Sequence, residues 1–133
     1  NLCVEAEIWD IWQDLSGWDL PLPLGGMALR RSLPLTTAIE CENILTKAVQ
    51  IAVQNKRLLS HMLLERGVVR VNAQELDRYL NLYANADSIS MGELELKAVN
   101  RLFELGFEAG FYPQCIRAED CLIPTEYTQL RFL

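Results

Sequence analysis

Basic residues are scarce where this chain begins: no lysine or arginine precedes Arg30, while Glu5, Glu7, Asp10, Asp14 and Asp19 fall in the first 19 residues. Over the whole length 12 Lys plus Arg stand against 18 Asp plus Glu, a net charge of -6. Phosphate recognition needs clustered cations, so nucleic acid and anionic membrane are expected to be poor partners. Long apolar runs are also missing, the longest being a few residues against the ~20 that span a bilayer. No basic residue leads into an apolar stretch at the N-terminus, so no signal peptide is visible and a cytoplasmic location is expected. A chain that opens on Asn1 is read as processed or cut.

Cysteine is sparse: Cys3, Cys41, Cys115 and Cys121, with no CxxC, and the single histidine His61 has no neighbour at ligand spacing. No zinc or other metal site is expected, no cofactor is called for, and the thiols are read as reduced and mostly buried. Cys115 and Cys121 are the pair that would contradict this. There is no Ser/His/Asp order, no phosphate-cradling glycine loop and no HExxH, and Glu93 with Glu95, like Glu119 with Asp120, reads as a solvated face.

What is present is a globular composition, 50% hydrophobic and 23% charged in 15.2 kDa. A chain of that mass exposes roughly 7,100 Å² when folded against about 22,000 Å² unfolded, enough burial for a real core. Ile8, Ile11, Trp12 and Leu15 share one helical face, closed by Ser16 and Gly17. Pro21 and Pro23 then forbid helix, and the apolar run from Gly26 to Leu29 suits a buried strand. Further on, Thr37 with Glu40 predicts a helix start, with Ile44, Ala48, Ile51 and Ala52 as its apolar stripe. Asn55 is expected to cap a further helix burying Leu58, Leu59, Met62 and Leu63, with Gly67 past its end. Asn72 with Glu75, and Ser90 with Glu93, repeat the cap signal before Leu76, Tyr79, Leu80, Tyr83 and before Leu94, Ala98, Leu102, Leu105. Gly106 or Gly110 ends the last helix. The tail from Pro113 has no period and is read as a wrapping or partly mobile arm. One strand cannot satisfy its own backbone, so partners are expected either from Asn1–Val4 and the tail or from polypeptide outside residues 1–133.

Several patterns stand in fixed order: Trp12 and Gly17, then Leu22-Pro23-Leu24-Gly25-Gly26, Ala28-Leu29-Arg30-Arg31-Ser32-Leu33-Pro34, and later Tyr83-Ala84-Asn85-Ala86-Asp87-Ser88 with Met91-Gly92. From about Glu7 to Gly110 this order resembles the C-terminal part of 1,4-dihydroxy-6-naphthoate synthases of the alternative, futalosine-based menaquinone pathway. That family shows a Leu-Pro-Leu-Pro-Leu-Gly strand ending Arg-Arg-Asp-Leu and a Tyr-Val-Asn-x-x-Ser element. Here Glu7 replaces its Asp, Trp9 its Gly and Ser32 its Asp, and Trp18-Asp19 is inserted.

The resemblance implies an α/β, helix-rich C-terminal portion of a two-lobed fold like a type 2 periplasmic binding protein. On that reading residues 1–19 end one lobe, 20–112 supply a hinge strand and the helices of the other, and 113–133 form the tail. It implies a lyase-type, ring-opening elimination of cyclic dehypoxanthinyl futalosine, with neither metal nor nucleotide, and a histidine base upstream of the matched segment. His61 falls at no matching position, so no catalytic residue is assigned and this chain alone is expected to be inactive. Leu24, Gly25, Gly26 and Arg30 are the substrate-binding candidates: glycines admit close approach, and a guanidinium matches a carboxylate. Arg31 could share that role, and Tyr83, Asn85 and Ser88 read as a helix end and turn. Trp9 and Trp12 are large apolar groups first, while Trp18 suits an interface. Partners are the small-molecule substrate and either the missing N-terminal part or further copies of the chain. The rival readings are a non-catalytic solute-binding lobe for a small anion and a truncated interaction domain.

Overall fold

A computed structural model describes residues 3–17, 19–124 and 126–127. Its helices are α1 (Ile8–Ser16), α2 (Leu35–Gln54), α3 (Lys56–Glu65), α4 (Ala73–Tyr83) and α5 (Glu93–Glu108), with 3-10 turns at Ala86–Ser88 and Glu119–Cys121. The fold is helix-rich, and no strand occurs among the described residues. The chain forms two compact units, one from Asn1–Gly26 with Met91–Leu122 and one from Met27–Ser90 with Ile123–Leu133.

In the first unit α1 ends where the sequence predicts, because Gly17 takes a left-handed φ of 92° and returns its N–H to the Gln13 carbonyl. Trp12, 4% exposed, donates from Nε1 to the Leu20 carbonyl at 3.0 Å, and buried Gln13 donates Nε2 to the same oxygen at 3.2 Å. Arg101 on α5 reaches the Leu15 carbonyl at 3.4 Å and pairs with Glu104 at 3.2 Å. The C-terminus of α5 is a Schellman turn: Phe111 donates to Gly106 and Gly110 to Phe107, with Gly110 at φ 78°. Gly110 therefore stops α5, and Gly106 stays helical. The arm beyond it folds back on α5 through Asn100, Glu119 and Ala118.

In the second unit the Asn72–Glu75 capping box forms as predicted, each side chain accepting the other's amide at 2.9 and 3.2 Å. Past α3, Gly67 at φ 61° closes another Schellman turn. Lys56 Nζ donates to Asn81 at 2.9 Å, tying α3 to α4. Ile39 and Leu76 are its buried hydrophobic side chains.

Several expectations are corrected. The strand over Gly26–Leu29 is absent and its residues are exposed, because nothing among the described residues offers a ladder to pair with. Helix α2 begins at Leu35, not at a Thr37 cap, since Pro34 supplies a fixed φ and needs no N–H bond. Asn55 stands at the N-cap of α3 as expected and also closes α2, but its side chain makes no cap bond to α3: Nδ2 donates to the Ile51 carbonyl at 2.8 Å. Ser90 is held by the preceding turn through its amide to Ala86, so Gly92 starts α5, with Glu95 accepting the Gly92 amide at 2.8 Å. The apolar stripes of α1, α2 and α3 are largely uncovered: Ile44 is 61%, Ile51 52% and Leu58 63% exposed. Trp9 and Tyr79 are exposed as well, and the expected core is sparse. Cys3, Cys115 and Cys121 are exposed and Cys41 is half-buried, so the thiols are not mostly buried. Trp18 and the chain beyond Tyr127 lie outside the described residues.

Candidate functional site

The proline-glycine segment that carries the proposed contacts starts from a fixed point. Leu20 is anchored by the two donors from α1, and at the far end the Arg30 carbonyl accepts the Leu33 amide at 3.1 Å. Between these points no hydrogen bond is made by any residue from Pro21 to Leu29, among the described residues. The residues before each proline are biased to extended backbone, and each proline lacks an N–H, so helix is excluded there.

Leu24 is 50% and Met27 69% exposed. Gly25 and Gly26 have open space where a side chain would stand, and neither has a positive φ. No strained turn requires glycine at either position, and the backbone there is accessible. Arg30 is exposed, and its guanidinium makes no ion pair among the described residues. Leu24, Gly25 and Gly26 close the first unit, and Arg30 stands four residues on, within the second.

The other singled-out residues have local employment. Asn85 Oδ1 accepts the amides of Asp87 and Ser88, and Ser88 Oγ donates to the Tyr83 carbonyl at 3.2 Å, the turn that the sequence suggested. Tyr83 stacks on Tyr79 with ring centroids 4.4 Å apart. His61 is exposed and lies 3.2 Å from Glu65 one turn along α3. It edges an open depression with Gln54, Asn55, Arg57 and Leu58, a feature with no signal in the sequence pattern. Among the described residues the one clear electrostatic perturbation sits elsewhere: the Asn100 carboxamide, a local backbone bond and Arg117 hold the Glu119 carboxyl below its usual range. No group of three metal-ligating side chains forms among the described residues. No described helix is long and apolar enough to cross a membrane.

No curated protein and no solved structure matches this chain. The model of one protein family, described as menaquinone biosynthesis, matches residues 1–108, the stretch that holds α1, the Pro21–Arg30 segment and all five α-helices. That match is in keeping with the resemblance to 1,4-dihydroxy-6-naphthoate synthases. The chain belongs to the menaquinone biosynthesis family.

Proposed function

We infer that this chain contributes to the ring-opening elimination that turns cyclic dehypoxanthinyl futalosine into dihydroxynaphthoate, as the C-terminal part of a two-lobed, periplasmic-binding-protein-like enzyme. The observation that carries the reading is the family match over residues 1–108, joined to a Pro21–Leu29 segment whose backbone makes no hydrogen bond among the described residues and an Arg30 whose guanidinium makes no ion pair among them. Leu24 offers an apolar contact, Gly25 and Gly26 admit close approach of a flat ring, and Arg30 supplies a cation suited to a carboxylate. The elimination needs a base to take the proton beside the carbonyl. His61 does not fill that role in this reading, since it faces solvent and Glu65, and the base belongs to the segment upstream of the match.

The test is titration of residues 1–133 with 1,4-dihydroxy-6-naphthoate, followed by ligand fluorescence, alongside a turnover assay with the cyclic substrate. Saturable binding without turnover is expected, with Arg30→Gln weakening it about tenfold through loss of a charge-assisted contact. Gly25→Ala should weaken binding while leaving the unfolding midpoint in place. Absence of binding, or binding indifferent to Arg30, would overturn the assignment.

A further inference from the structure

Gln13 is an unusual residue to bury. It is 2% exposed beside buried Trp12 on α1, and a carboxamide taken out of water is destabilising unless it is hydrogen-bonded. Its Nε2 donates to the Leu20 carbonyl at 3.2 Å, and Trp12 Nε1 donates to the same oxygen at 3.0 Å. A carbonyl oxygen has two lone pairs, and here two donors from consecutive residues of one helix converge on it. We propose that Trp12 and Gln13 are positioning residues that preset the backbone of residues 22–26, so that a ligand meets a chain already ordered.

The held oxygen belongs to the peptide bond that precedes Pro21, so the two donors fix ψ of Leu20 and with it the plane from which the next residue departs. From there the chain has few ways to turn before Leu24. The rings fix φ of Pro21 and Pro23, and Leu22, standing before a proline, is biased to extended backbone. The helix that supplies the donors is itself held: Gly17 returns its amide to the Gln13 carbonyl, and Arg101 on α5 donates to the Leu15 carbonyl. All of these groups, with Leu24, Gly25 and Gly26, lie in the first unit. Order imposed at Leu20 therefore reaches the ligand positions although residues 21–26 make no hydrogen bond among the described residues. A ligand that meets an ordered chain loses less conformational freedom on binding. The ligand side of this inference rests on the function proposed above, whereas the hold on the backbone does not.

Backbone nitrogen-15 relaxation of residues 1–133 tests the hold. In the parent the order parameter should be near that of rigid backbone, about 0.85, at Leu22 and decline towards Gly26, since the hold is at one end. Trp12→Phe combined with Gln13→Leu should bring Leu22 and Leu24 below about 0.6, while either change alone leaves one donor and a nearly parental profile. Gly106→Ala strains the same unit at the Tyr112 ring without touching Leu20, and should leave the profile parental, which separates positioning from general loss of stability. Naphthoate affinity should fall about tenfold in the double variant. A parent already mobile at Leu22 and Leu24, parental order in the folded double variant, or equal loss in Gly106→Ala overturns the positioning. The first of these needs no variant, so a double variant that fails to fold leaves the test in force. Order lost with naphthoate affinity unchanged also overturns it. Order lost on double substitution of a parent that binds no naphthoate keeps the hold and overturns the ligand reading; parental order with affinity intact does the reverse.

Discussion

The carboxamide of Asn100 holds two points of the C-terminal arm at once: Nδ2 donates to both Glu119 carboxylate oxygens at 3.0 Å, and Oδ1 accepts the Ala118 amide at 2.7 Å. Asn100 and Ala118 are both buried, so this amide has no water to fall back on. Asn100→Ala should therefore lower stability by about 2 kcal/mol, the cost of a buried unsatisfied donor, where an exposed cap would cost less. Urea unfolding measures the loss. Limited proteolysis should show new cleavage between Gly110 and Leu122, and a variant cut no faster than the parent would show that the arm is held by something else.

Acid should loosen the same clasp. The Asn100 carboxamide is the largest influence holding the Glu119 carboxyl below its ordinary 4.5, helped by a local backbone bond and by Arg117 at 3.3 Å. A carboxyl depressed in the folded state stabilises the fold above its unfolded value, and the contribution is lost as pH falls through the folded value. Glu119→Gln removes the titrating group. The gap in unfolding midpoint between parent and variant should be widest near pH 7 and close as pH falls through the depressed folded value, and a constant gap would exclude Glu119 as the source.

Gly106 and Tyr112 set up a test of sign. A Cβ at Gly106 would run into the Tyr112 ring, which packs edge-on against Phe103 with centroids 6.2 Å apart. Alanine otherwise favours a helix interior over glycine by about 1 kcal/mol. Gly106→Ala should destabilise the parent by displacing the ring, by about 1–3 kcal/mol. In a Tyr112→Ala background it should stabilise. Thermal unfolding of the four proteins reads the interaction directly, and the same sign in both backgrounds would refute it.

The features that could be read from sequence are those decided within a few residues. Gly17, Gly67 and Gly110 end helices because a left-handed residue is needed there, and Asn72 with Glu75 satisfies two amides within one turn. The starts of α2 and α5 were displaced by equally local competitors, Pro34 and the Ala86 carbonyl that engages Ser90. Burial was not legible. Periodicity tells that Ile44, Ala48 and Ile51 share a face, but whether that face is covered depends on other segments. The same holds for Gly26–Leu29, where an apolar run suits a buried strand but strand formation requires a distant partner. The candidate residues were identifiable only through the Pro-Leu-Gly-Gly to Arg-Arg order, since no periodicity marks them. The Asn100–Glu119 clasp spans 19 residues and had no sequence signal.

Trp12 and Gln13 anchor the start of the Pro21–Leu29 segment by sharing one acceptor, the Leu20 carbonyl. Trp12→Phe keeps most of the buried ring and Gln13→Leu keeps the volume, and after either change the other residue still donates. Each alone should cost less than about 1.5 kcal/mol. The double variant strips the carbonyl of both donors and should cost more than the two singles combined by about 1 kcal/mol or more. A double-mutant cycle in urea measures that coupling. Strict additivity would mean that solvent takes over at Leu20 and that α1 does not fix the segment after it.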